Sequence, residues 1–420
     1  MHESIQKYLN RYAEPNLSER PAQHLHQTQW HWVLCIPCFN ESPEFIHSLP
    51  RTPNTLFILV VNHPQGRDHD LNRRFVESLC HGRARVLIGD YDQLITLEGD
   101  NRHILLVDRS INQVGFNPKH GVGLARKLAA DIALKWHSQG YVQSDWIAMT
   151  DADAVLPEHY FTTLTADNVE TPAVVFPFTH GQAKTADERV ALALYELKLH
   201  HYVAGLIWAK SPYAHHSIGS CIAIRAKAYA QVRGIPKRAA GEDFYLLNKA
   251  NKLGHIQTLS LDSTIVLSPR RSDRTPFGTG QGVNTLSDQR HPLKTEMFYP
   301  PKAFNCLKDF LDKVAAGAQT FEALTEGLSE EANSALVNLG LEMALRHCKT
   351  HGPTPQKFQR QLHQWFDGFK TLKFIHQLAP PQTGLLSFEE WAIKSGNGDL
   401  TPFEASQKMR TFCYQHLTDD

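Results

Sequence analysis

Two aspartates separated by a single residue, Asp151 and Asp153, close the apolar run 146–149. At the end of an extended strand, residues i and i+2 point to the same side, so both carboxylates would face one spot while Ala152 turns away. Like charges that close repel unless a cation sits between them or one is protonated. Hard oxygen ligands suit Mg2+ or Mn2+, ions that also grip a diphosphate. The competing reading is a solvated Asp-rich turn, since turns favour aspartate. A second acidic pair, Glu242 and Asp243, follows Gly241 and opens an apolar-periodic stretch that reads as a helix to Leu253, capped by Gly254. The helix dipole holds a carboxylate at that position as the anion. Ionised and positioned, it can accept a proton from a hydroxyl group. Plain N-capping would explain the same residues, and the residues alone leave both readings open.

A third feature is the run 268–282, with Arg270, Arg271 and Arg274 among two prolines and three glycines. Arginine forks match phosphate oxygens, and glycines let backbone approach a ligand, so this run is a candidate lid over a diphosphate. An ordinary surface loop is the alternative. Cys35-Ile36-Pro37-Cys38 spells C-x-x-C, but Cys35 lies inside a strand, and no second C-x-x-C completes a zinc site. Buried thiols are the better reading. Gly121-Val122-Gly123 lacks the third glycine of a dinucleotide fingerprint and instead starts a helix. The pairs His200-His201 and His215-His216 can each offer at most one ligand easily, because adjacent residues diverge. A structural or acceptor-site role is preferred over metal for them, and His180 is a comparable lone candidate.

The elements that must position these groups are legible as apolar runs. Strands are expected at 32–36 (stopped by Pro37), 56–61, 85–88, 104–107 and 146–149, with a helix at 122–136. On that helix Leu124, Leu128 and Ile132 recur at i+4, as do Ala125, Ala129 and Ala133, while Arg126 and Lys127 fall off the stripe. Near-continuous apolar strands alternating with helices indicate a parallel sheet covered on both faces. Ligands of such a sheet bind beyond the carboxyl ends of its strands. That rule selects residues 37–41, 62–64, 108–120 and 151–153. A short helix at 5–12 precedes the sheet. From Pro301 onward the texture turns to amphipathic helix, for example over 321–347 and 355–376.

Composition bounds the function classes. A chain of 420 residues, 42% hydrophobic and 20% charged, supports one large domain with appendages or two domains, and is not globally disordered. Net charge is zero, so no overall basic bias draws the chain to nucleic acid or anionic lipid. Seven cysteines do not make a disulfide scaffold. Residues 1–28 are polar rather than a basic-then-apolar leader, and no apolar run is long enough to span a bilayer. A cytoplasmic protein without nucleic-acid partners or a transmembrane segment is expected; peripheral membrane contact leaves no such signature.

Taken in order, these pieces resemble the GT-A glycosyltransferases of the family-2 type. The strand ending Pro37-Cys38-Phe39-Asn40-Glu41 resembles that family's nucleotide-binding first strand, which ends Pro-x-x-Asn-Glu. Asp151-Ala152-Asp153 resembles its D-x-D motif, and 219–225 the strand that opens its acceptor half. Gly241-Glu242-Asp243 resembles its E-D motif, and 121–128 the helix whose arginine, here Arg126, lies near the nucleotide. The match covers about residues 30–285. It implies an α/β GT-A fold, Rossmann-like, with a largely parallel central sheet. It further implies metal-dependent, inverting sugar transfer from a nucleotide-diphosphate sugar to an acceptor hydroxyl.

By that resemblance Asp151 and Asp153 hold Mg2+ or Mn2+. Asp243 is the general base, with Glu242 beside it. Pro37, Asn40, Glu41, Asn62, Arg126 and Asp151 bind the donor, and Arg271 and Arg274 close on its phosphates. The chain departs from the family at Val61-Asn62-His63-Pro64, where an acidic residue usually reads the nucleobase, and in lacking the Q-x-x-R-W motif and membrane helices of processive synthases. A retaining GT-A transferase, a sugar-phosphate nucleotidyltransferase and a non-catalytic carbohydrate-binding relative are the alternatives. The expected organisation is a helical lead-in at 1–29, the transferase domain at 30–299 and a helical region at 300–420.

Overall fold

The structure, a computed structural model, describes residues 3–19, 29–67, 70–88, 92–97, 101–110, 115–164, 171–270, 278–380 and 384–418. It divides into two compact units, Met1–Gly181 with Ser217–Gln281, and Gln182–His216 with Gly282–Asp420. This partition differs from the expected one. The first helix belongs with the sheet, and residues 182–216 and 282–299 belong with the C-terminal helices.

The first unit is α/β. Its strands are β1 (Trp32–Cys38), β2 (Thr55–Val61), β3 (Arg85–Ile88), β4 (Asp92–Thr96), β5 (His103–Asp108), β6 (Trp146–Met149), β7 (Ala173–Val175), β8 (Phe178–His180), β9 (Ile222–Arg225), β10 (Gln257–Thr258) and β11 (Ile265–Leu267). Nine of them form one sheet in the order β10-β7-β9-β6-β1-β2-β5-β4-β3, and β8 pairs with β11 beside it. The run β6-β1-β2-β5 is parallel throughout. Only β9 and β4 run against the rest, so the sheet is largely, not wholly, parallel. Burial explains the apolar runs: all seven residues of β2 are inaccessible.

Pro37 does not stop β1, which continues to Cys38. The Cys35 carbonyl accepts from the Thr150 amide on the β6 side, so by strand alternation Pro37 presents its missing N–H to the same flank. The β1–β6 ladder has already ended there, at Cys35 and Met149. A proline is harmless at that point.

The helix expected at 122–136 is Gly121–Ser138. Arg126 and Lys127, placed outside its apolar stripe by periodicity, are both buried. Lys127 Nζ donates to Asp131 Oδ2 at 2.8 Å, to the Tyr8 hydroxyl at 2.6 Å and to the Tyr12 carbonyl at 2.9 Å. The Tyr8 and Tyr229 hydroxyls both donate to Asp131 Oδ1. This network ties the first helix, Glu3–Arg11, to the long one, which is why the lead-in is part of the unit.

The second unit is helical apart from the two-residue ribbon Met297–Phe298 with Leu386–Ser387. Its long helix, Ala186–Trp208, begins with a capping box between Thr185 and Glu188. The amphipathic stretches expected at 321–347 and 355–376 are present but broken, into Phe321–Thr325, Glu330–Asn338 and Leu341–His351, and into Pro355–Trp365 and Gly368–Leu378. Each unit has its own apolar core. Among the described residues no helix is long and apolar enough to cross a membrane.

Candidate active site

In the first unit the chain order reverses between β1 and β6: from β1 the sheet grows one way through β2 to β5, and β6 lies on the other side. The crevice beyond the carboxyl ends of such strands is where open α/β sheets bind ligands. Asn40 and Glu41 follow β1 there, Asn62 follows β2, and Asp151 and Asp153 follow β6. Strand β9 is antiparallel to β6 and pairs Ile222 with Met149, which brings the preceding residues, Gly219 among them, to the same edge.

Arg126 organises the acidic groups. Its Nε donates to Glu242 Oε1 at 3.0 Å, Nη1 to the Gly219 carbonyl at 2.9 Å, and Nη2 to Asp151 Oδ1 at 2.5 Å. The D-x-D and E-D motifs, 91 positions apart counting from Asp151 to Glu242, therefore meet on one guanidinium. Glu242 opens the helix Glu242–Ala250, with Gly241 before it at φ 75, a left-handed conformation that glycine adopts without a Cβ penalty. That helix is shorter than expected, ending before Leu253. Asp243 is half-buried, and one of its oxygens accepts from the Phe244 amide at 2.7 Å. The Gly219 amide is a second donor to it.

Burial raises the carboxyl pKa of both residues. For Glu242 the neighbouring Asp243 charge adds to burial, and Arg126 opposes it. For Asp243 the Phe244 and Gly219 amides and Arg126 oppose it without cancelling it. The same acidic neighbours hold Arg126 firmly cationic despite its burial.

A second arginine does the matching work for the other carboxylates. Arg270 grips Glu41 with two parallel bonds of 3.0 and 2.7 Å and reaches Asp153 Oδ2 through Nε at 2.8 Å. It thereby links the end of β1 to the end of β6. Arg271 and Arg274, the arginines expected to close on phosphates, lie outside the described residues; Arg270, first of the run, is the one the structure places. Asp151 and Asp153 are thus held by different arginines, and both side chains keep solvent exposure, at 40% and 26%. A pair of accessible carboxylates is a donor set that fits a hard divalent cation.

The remaining expected residues are structural neighbours of the crevice. Asn40 sits at φ 51, a region that asparagine tolerates better than most side chains. Its amide donates to Asn72 Oδ1, whose own Nδ2 donates to the Asn62 carbonyl. Asn72 thus fastens the ends of β1 and β2 together; it lies within the helix Asp70–Cys80 and carries no motif. Asn62 is buried. Pro37 lies in β1 as described above. Cys35 and Cys38 are both buried free thiols, as expected. His180 bonds the Thr279 hydroxyl at 2.9 Å and is not part of the acidic cluster. A groove of about 980 Å3 lies at the opposite end of the strands, lined by Trp32, Asp145, Trp146 and Arg225; none of the site carboxylates line it.

No family model matches the chain. No curated protein matches it either. Among solved structures it is similar to S. aureus TarS 1–349 in complex with UDP-GlcNAc, with 12% identity over 80% of this chain and 90% of that one and a TM-score of 0.37. It is also similar to the mannosyltransferase PcManGT from Pyrobaculum calidifontis in complex with GDP-Man and Mn2+, with 16% identity over 89% and 94% and a TM-score of 0.34.

Proposed function

We propose that this chain is a GT-A-type glycosyltransferase that moves a sugar from a nucleotide-diphosphate donor to an acceptor hydroxyl with inversion. The observation that carries the proposal is the convergence of Asp151, Glu242 and Asp243 on Arg126 at the carboxyl edge of the β6-β1-β2 strands. In this reading Asp243 is the base. Burial raises its pKa above that of an ordinary aspartate, which strengthens its ionised form as a proton acceptor. The hydroxyl oxygen attacks the anomeric carbon, Asp243 takes its proton, and the bond to the diphosphate breaks on the opposite face.

Asp151 and Asp153 would hold Mg2+ or Mn2+, which when bound offsets charge on the leaving diphosphate. Pro37, Asn40, Glu41 and Asn62 form the nucleoside side of the crevice. Arg126 fixes Glu242, the Gly219 carbonyl and Asp151 in this scheme with three of its five N–H groups, and it stays a donor-binding candidate. Glu242, buried on Arg126, positions Asp243 instead of reacting. Arg271 and Arg274 remain the phosphate-closing candidates.

A panel of nucleotide sugars tested for metal-dependent thermal stabilisation checks donor binding, because a ligand of the native state raises apparent stability by about 2.7 kcal/mol at 100 Kd. One nucleotide sugar should raise Tm with Mn2+ and not with EDTA, and should slowly release free sugar and nucleoside diphosphate. No stabilisation and no release across the panel would overturn the proposal.

A further inference from the structure

The second unit holds a side-chain cluster unrelated to the carboxylates. Its long helix, Ala186–Trp208, carries His200 and His201 in succession. Consecutive residues lie about 100° apart around a helix, so the two rings enter different surroundings. His201 is fully used as a structural residue: Trp391 Nε1 donates to its Nδ1 at 3.2 Å, and its Nε2 donates to the Tyr299 carbonyl at 2.8 Å. His200 faces elsewhere. Its Nδ1 lies 3.0 Å from Nε2 of His216, with the two rings nearly perpendicular. Cys413, on the C-terminal helix Pro402–Thr418, brings its Sγ to 3.2 Å from the His200 carbonyl. One ligand atom from each of His200, His216 and Cys413 lies within 4.8 Å of the other two, and all three residues are buried.

We infer that His200, His216 and Cys413 form a buried binding site for a borderline-soft divalent cation, Zn2+. Two imidazoles and a thiolate are the donor set such an ion prefers, whereas Mg2+ and Mn2+ take oxygen. The geometry is close to what binding needs. Zn–N and Zn–S bonds of about 2.0–2.3 Å place tetrahedral ligand atoms roughly 3.3–3.7 Å apart. The present spacings, from 3.0 Å to at most 4.8 Å, reach that by small side-chain rotations. On binding, the Cys413 S–H bond breaks, an S–Zn bond forms, and the proton leaves to solvent.

The surroundings argue in the same direction. Cys413 packs with Val203 and Ala204 in an apolar cluster, and the Tyr414 ring stands within 6.0 Å of both imidazoles. Burying two imidazoles beside apolar groups costs desolvation, which ligation of an ion would offset. The ligands come from a helix, the segment after it and a helix some two hundred positions later, so the ion would cross-link the two ends of the unit. This site is independent of the transferase proposal, and its test does not read activity.

Full-length protein, stripped of metal and given Co2+, should bind one equivalent with a thiolate-to-cobalt charge-transfer band in the near ultraviolet, displaced by Zn2+. Cys413→Ser should abolish the band and one equivalent of Zn2+; Asp153→Asn should leave both. Zinc-edge X-ray absorption of the wild-type protein needs no variant and should show two nitrogens and one sulfur. An oxygen-only shell, no retained Zn2+, or a band that survives Cys413→Ser overturns the site.

Discussion

Asp243 and Glu242 are adjacent in sequence and differ in burial. Asp243 is half-buried beside two backbone amides, while Glu242 is buried against Arg126. Replacing the proposed base, Asp243→Asn, keeps size and polarity but removes the carboxylate that the proposal makes the proton acceptor. It should lower kcat by about 10²–10⁴-fold with donor affinity unchanged, the range for general-base catalysis. Single-turnover rates beside donor titrations check this. The pH profile follows from the direction of the shift. The proposed base role requires Asp243 ionised, and its pKa is raised, so kcat/KM should fall as pH drops through a value above the ordinary aspartate figure of about 4. Glu242→Gln removes a neighbouring negative charge and leaves Arg126 less compensated, so the acid limb should move to lower pH. A limb that stays in place would show that Glu242 does not tune the base.

At the scale of elements, the helix Gly121–Ser138 links both polar networks. From one turn Arg126 and Lys127 reach different partners: Arg126 the carboxylates of the crevice, Lys127 the Asp131 cluster under the first helix. Lys127→Met leaves Asp131 buried without its cation, and breaking a buried pair in that way costs about 3–5 kcal/mol. Denaturant unfolding should show that loss. The start of the helix is equally constrained. A Cβ on Gly123 would lie 2.6–2.7 Å from three backbone atoms of Pro236 and Arg238. Gly123→Ala therefore forces the helix start away from that segment, at a cost of about 1–3 kcal/mol. Because Arg126 lies three residues after Gly123, on the next turn of the same helix, the proposed activity should fall together with stability; an Ala variant with full activity and unchanged Tm would show that the segment yields instead.

At the scale of the whole molecule, the chain leaves the first unit at Gln182, returns at Ser217 and leaves again at Gly282. The second unit is thus built from an insertion and a tail. A chain truncated after residue 299, the boundary that texture indicates, would keep the helix Ala186–Trp208 but lose the partners of Leu194, Leu197 and Leu206, all buried in the full chain. Such a protein should aggregate or elute anomalously on size exclusion, while the full chain does not. A soluble, monodisperse 1–299 fragment would contradict the two-unit organisation.

The strands were readable because parallel strands buried on both faces must be continuous apolar runs, as β2 and β5 are. The carboxylate pairs and Gly241 were readable because chemistry and backbone conformation restrict the residue types allowed there. The helix Ala186–Trp208 was not among the expected elements, although it starts at a T-x-x-E capping box on Thr185. Other features had no local signal. Periodicity counts apolar side chains, so it put Arg126 and Lys127 outside the core; only partners distant in the chain make their burial tolerable. Asn72 looks like an ordinary polar residue, and the arginine-rich run does not say that Arg270 grips Glu41 and Asp153, until folding brings the ends of β1, β2 and β6 together. The same holds for His200, His216 and Cys413: which member of each histidine pair turns toward the thiol is set by helix rotation and packing, and tertiary structure alone decides that.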